Sequence, residues 1–207
     1  EYSDDEAPDR FFEVEIVKPK RLGNNLLLNE LEIEVYLSQV APCTFRPEFS
    51  FSNQILEILK NVNAREYQIY LNQSKNPFFR PFADEITYSD TRVGTANRVQ
   101  EISIDGLDGE PAAAGWVLHH DKQGAIPSLS KVCGLRARVG NIQIGNERIF
   151  PELYPEERFC SWTIGEVHVL DKRVLPNGRR DDFEPNVHFS NVTAHLLPYT
   201  AEIAREC

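Results

Sequence analysis

The stretch Leu135 to Ile144 constrains the fold most. Leu135, Ala137 and Val139 alternate with Arg136 and Arg138, and Ile142 and Ile144 resume the pattern. A period of two residues is the mark of a β-strand. The stretch is therefore expected to form a pair of strands, and Gly140 is expected to make a β-bulge where it breaks the register. The chain also carries the opposite signal. Phe189, Val192, Leu196, Leu197 and Ile203 recur at helical spacing across Asn186 to Glu206, so a long amphipathic helix is predicted there, kinked by Pro198.

The remaining segments alternate between these two patterns. Strands are expected at Phe11–Val17, Tyr67–Leu71, Phe79–Tyr88, Gln100–Ile104, Gly115–His119 and Trp162–Leu170. Helices are expected at Leu26–Val40 and Ser52–Val62, the second capped by Ser52. Loops are expected at Lys18–Asn25, Ala41–Phe49, Asp105–Ala113, Gln123–Lys131 and Asp171–Asp182, and a short helix or loop at Ile149–Phe159. Strands and helices are interleaved, and several strands can pair through short connections. This favours a layered α+β or α/β architecture, and the fold class expected is α+β, a mixed sheet packed with helices. Three segments are expected: a charged linker over 1–10, a connector and first α/β segment over 11–98, and a main domain over 99–207.

Composition narrows the function. Hydrophobic residues make up 41% of the 207 residues and charged residues 26%, the mix of a folded protein. The net charge of −10 makes nucleic acid and anionic membranes unfavourable partners. No apolar run reaches the roughly 18 residues of a membrane span. The four cysteines, Cys43, Cys133, Cys160 and Cys207, form no CxxC pair. They are expected as reduced thiols of a cytoplasmic protein rather than zinc ligands or disulfides. Methionine is absent, position 1 included, and the last residues fall inside a predicted helix. A fragment of a longer protein is expected.

The loop Val174 to Glu184 carries the most chemistry. Gly178 permits a tight turn, Asn177 can bond the loop or a ligand, and Arg179 and Arg180 project side by side. Planar guanidinium groups suit bidentate phosphate binding, and an arginine aimed at a γ-phosphate stabilises phosphoryl-transfer charge. The plainer expectation is local pairing with Asp181, Asp182 or Glu184, acids favoured before a helix. His119, His120 and Asp121 lack helical zinc-site spacing, and on a strand the two rings point to opposite faces. His168 and His195 are expected to be structural, and no cysteine has an evident histidine partner. The chain has no GxxxxGK[ST], GxGxxG, GxSxG or DxGxG segment, so it is not expected to bind nucleotide tightly alone.

From about Val99 to Glu206 the sequence resembles the middle domain of the ATP-dependent heat-shock chaperones of the GHKL superfamily. The resemblance rests on Leu135-Arg-Ala-Arg-Val139 with Ile142-Gln-Ile144, then Phe150-Pro-Glu-Leu-Tyr-Pro155, then Gly165 to Pro176, then Asn177, Arg180 and Asp181 before a helix. It implies a ribosomal-S5-domain-2-like transducer layer. It implies that Arg180 reaches the γ-phosphate of ATP held by a preceding ATPase domain, and that Asn177 supports the catalytic loop. Arg179 has no counterpart in the family; a second phosphate contact or a surface charge are its two readings. ATP and magnesium are then expected in the full-length protein, none in this segment, together with homodimerisation and client proteins. The alternative is a non-catalytic interaction module, for which Phe78, Phe79, Phe82 and Trp116 are candidate contacts if they are not core.

Overall fold

The computed structural model describes residues 13–18, 29–62 and 64–207. The linker expected over 1–10, the loop over 19–25 and the outer parts of the first strand and first helix lie outside the described residues. The elements are helices α1 (Glu30–Val40) and α2 (Ser52–Ile58), strands β1 (Glu85–Ser89), β2 (Arg92–Asp105), β3 (Pro111–His120), β4 (Gly134–Val139), β5 (Ile142–Ile144) and β6 (Ile164–Val169), and helix α3 (Val187–Glu206). Short 3-10 turns occupy Ser128–Ser130, Pro151–Leu153 and Glu157–Trp162.

The strands form one six-stranded sheet in the order β1-β2-β3-β6-β4-β5. All neighbours are antiparallel except β4 and β6, which run parallel. The architecture is α+β, a mixed sheet packed against helices. The boundary expected at 98/99 falls inside β2, which runs unbroken from Arg92 to Asp105.

The sheet is buried on both faces at its centre. Every residue of β6 is buried. On one face Val117, Leu135, Ala137 and Val167 pack beneath Val192, Leu196 and Ile203 of α3. On the other, Trp116, Leu118 and Ile164 pack beneath Phe45, Phe49, Ile55, Leu59 and Phe82. Phe82 meets Trp116 edge-on, with ring centroids 4.9 Å apart, a geometry worth about 1 kcal/mol beyond area burial. Phe78, Phe82 and Trp116 are thus core, at 6%, 2% and 0% exposure, and only Phe79 is half-buried. As contact residues for a client the three buried aromatics are ruled out.

Several local expectations are corrected. Gly140 makes no bulge: with Asn141 it forms the two-residue turn of the β4–β5 hairpin, both at positive φ (59° and 63°), joining the paired Val139 and Ile142. This is the turn whose twist matches flanking strands. Ser52 does not cap α2; Phe51 holds the cap position without a side-chain bond. Glu13–Val17 is not in a strand, and Val14 and Ile16 are exposed. Tyr67–Leu71 contributes only single bridges, Tyr67 to Cys43 and Ile69 to Phe78. The strand expected at Phe79–Tyr88 begins only at Glu85, and β3 begins at Pro111, inside the expected loop. Asn186 caps α3 by accepting from the amides of His188 and Phe189 at 2.9 Å.

Candidate functional site

The arginine loop is built from its base upward. After β6, the amide of Asp171 donates to Ala112 O, tying the loop to the sheet. Arg173 donates to both Asp171 (2.8 Å) and Asp108 (2.6 Å), and Asn186 Nδ2 donates to Arg173 O (2.9 Å). The Arg173 guanidinium holds the Asp171 and Asp108 carboxyls below their usual range. Higher up, Val174 and Phe183 are buried, Phe183 stacks on Phe189 at 5.1 Å, and Pro176 and Phe183 form a bridge. The amide of Asn177 donates to Asp182 O and that of Glu184 to Leu175 O, both at 2.8 Å. The loop is a small hairpin nailed to the end of the sheet.

Its tip is organised by Asn177. The side-chain oxygen accepts from the amides of Arg179 and Asp181 at 3.2 Å, and the side-chain nitrogen donates to Asp181 Oδ1 at 2.7 Å. An Asn side chain bonded to its own loop in this way stands in for backbone turns.

Arg180 sits inside this frame with an uncommon backbone, φ 58°. Its amide donates to Asn177 O and its carbonyl accepts from Gly145 N–H, both at 2.9 Å. Its side chain is exposed and, among the described residues, has no carboxylate within ion-pairing distance. The local pairing expected with Asp181, Asp182 or Glu184 is therefore not made by Arg180. Arg179 makes it instead, loosely, at 3.8 Å from Asp181 with its side chain 88% exposed. A left-handed backbone in a bulky residue is strained. Here it is held in place while the guanidinium is left to solvent, so the group is free for an outside anion.

Alternation hid a second polar assembly. Arg136 and Arg138 read as the wet face of a strand, yet they are 2% and 1% exposed. They point into a cluster under the N-terminal segment. Glu166, at the centre, ion-pairs with Arg80 and with Arg138, the latter at 2.5 Å. Arg80 also donates to Cys43 O (2.8 Å) and Asn141 Oδ1 (2.6 Å). Burial would raise the Glu166 carboxyl, but Arg138 and Arg80 overturn this and hold it well below the usual carboxylate range. Burial lowers His168, whose Nε2 lies 3.6 Å from Glu166, so its ring is neutral near pH 7. The signal in the sequence was the pairing of Arg136 and Arg138 with Glu166 and His168, the same spacing on two strands. Only their adjacency in the sheet reveals it.

His119 and His120 do face opposite ways. His119 lies between Glu206 (3.0 Å) and Gln100 (2.7 Å), and His120 between Tyr88 (2.5 Å) and Trp162 O (3.0 Å). Burial lowers both imidazoles. Asp121 instead binds the amide of Thr95 at 2.9 Å. His195 bonds the carbonyl of Asn191 one helical turn back. Cys43, Cys133 and Cys160 are free and buried, and burial pushes the Cys160 thiol up to about 11, away from nucleophilic thiolate. Among the described residues no helix is long and apolar enough to cross a membrane. No protein-family model matches the chain, and no curated protein matches it significantly.

Proposed function

We propose that this chain is the transducer segment of an ATP-driven, heat-shock-chaperone-like protein. In this proposal Arg180 contacts the γ-phosphate of ATP held with magnesium by an ATPase domain elsewhere in the same protein. The sheet with α3 corresponds to a ribosomal-S5-like layer, Asn177 keeps the loop in shape, and Arg179 is a surface charge. ATP would complete the site, and closure of the loop on phosphate would couple nucleotide state to domain arrangement. A cytoplasmic homodimer acting on client proteins is part of the same proposal.

One observation carries it: the Arg180 backbone is fixed at both its amide and its carbonyl in a left-handed conformation, while its exposed guanidinium pairs with no carboxylate among the described residues. A cation carried on a fixed backbone is placed to meet charge that develops in a transition state. The test is ATP turnover by the full-length protein with Arg180→Ala. Turnover should drop about a hundredfold or more, or about 2.7 kcal/mol of barrier, with ATP affinity kept. Unchanged turnover overturns the proposal and leaves an interaction module.

A further inference from the structure

The chain's strongest unassigned feature is the contact between the β5 edge strand and the arginine loop. Gly145, the first residue after β5, stands at φ 62° and donates its N–H to Arg180 O at 2.9 Å. A Cβ on Gly145 would lie 2.7 Å from Asp181 O, on the loop backbone itself. Real Cβ atoms do not approach so closely, so any side chain there displaces the loop. The carbonyl of Gly145 is held as well, by Gln143 Nε2 at 3.0 Å, and Gln143 accepts from the buried Arg136 at 3.0 Å.

The other end of β5 is equally fixed. Asn141 accepts from Arg80 (2.6 Å) and Arg138 (2.9 Å) and donates to Arg65 O (2.8 Å). A three-residue strand thus runs from the buried ionic cluster to the backbone of Arg180. We infer that Gly145 is a positioning residue: it sets the register of Arg180, and β5 ties that register to the docking of the segment that carries Arg65 and Arg80. The inference rests on Arg180 being the phosphate contact, but its structural part can be tested separately.

Gly145→Ala, Gly145→Asn and Gly140→Ala separate the effects. Gly140 shares the left-handed backbone (φ 59°), but a Cβ there meets nothing within 4 Å. It controls for backbone strain alone. Asn tolerates left-handed backbone, so Gly145→Asn carries the clash with less strain. Amide exchange over 177–184 should quicken at least tenfold in both Gly145 variants and stay unchanged in Gly140→Ala. In the full-length protein the Gly145 variants should lose at least tenfold in kcat with the KM for ATP unchanged, and Gly140→Ala should lose neither. Equal loop exchange in all three variants overturns the inference, even if Arg180→Ala abolishes turnover. Loop exchange that changes as stated, with turnover indifferent to Arg180→Ala, keeps the Gly145 contact but overturns its positioning role together with the ATPase proposal. Should the Gly145 variants not fold, a through-hydrogen-bond NMR coupling between Gly145 N and the Arg180 carbonyl carbon in the unaltered chain decides: its presence supports the tie, and its absence overturns it.

Discussion

Glu166 has the largest consequence of any single side chain outside the loop. It is fully buried between Arg80 and Arg138, whose other donors go to carbonyls and Asn141, and Arg80 also lies 3.7 Å from Glu66. A buried ion cluster is weak evidence of net stability, because desolvation offsets the attraction. Removing one member is different, since it strands the others. Glu166→Gln leaves two buried arginines facing a neutral amide and should destabilise the chain by about 3–5 kcal/mol. Urea unfolding monitored by tryptophan fluorescence measures it; a change under about 1 kcal/mol, the scale of an exposed pair, would show that the cluster is wet. None of this was legible in the sequence, where Arg136 and Arg138 carry the alternation of a solvent face. The turn organised by Asn177 was legible, because a turn needs only neighbours in the chain. The hold on the Arg180 carbonyl was not, because its donor is Gly145, 35 positions earlier by residue number.

Among the elements, α1 is the least secured. None of its residues is buried, and Leu31 and Tyr36 are largely exposed. Ile33, Val35, Leu37 and Val40 are only half-buried, and its polar hold on the sheet lies at one end. Arg138 donates to Gln39 O (2.7 Å) and reaches Ala41 O (3.5 Å), and Arg136 donates to Gln39 Oε1 (3.3 Å). Those carbonyls are the negative end of the helix, where a cation is favoured. Arg138→Met keeps the volume and removes the grip. Amide protection should then fall throughout, because Glu166 loses a partner, and fall further in α1 than in α3, which is anchored by Val192, Leu196 and Ile203. Hydrogen exchange resolved by peptide checks this; equal loss in both helices would mean that Arg138 supports the whole fold. Helical type was legible for α1 and α3 from spacing alone. The polar hold on the C-terminal end of α1 was not, because its partners there are charged groups that a hydrophobic pattern does not register.

At the scale of the whole molecule, buried titratable groups set the acid limit. His119, His120 and His168 are all held below the ordinary value of 6.5, chiefly by burial. An unfolded chain takes protons on these rings before the folded one does, so their stability is complete above pH 6.5 and declines below it. Glu166 adds a second limb. Its folded value lies well below 4.5, so its contribution is present above that pH and is lost as pH falls through the folded value. Melting temperature should therefore fall first below about pH 6.5 and again below about pH 4.5. His168→Gln should flatten the first decline; a melting temperature constant from pH 7 to 5 contradicts the assignment. The α+β class was legible because it needs only the order of strand and helix patterns. The strand order was not, because nothing local places β6 between β3 and β4.

That placement has a consequence for synthesis. Arg80 and Glu166 are 86 residues apart. At roughly 5–20 residues per second a ribosome needs about 4–17 s to cover that distance. Through that interval Arg80 has only Glu66, 3.7 Å away in the folded chain, as a counter-charge, and β4, once made, has no β6 to join it to β3. The Glu166 centre of the polar cluster and the join between β3 and β4 are therefore completed only when β6 arrives.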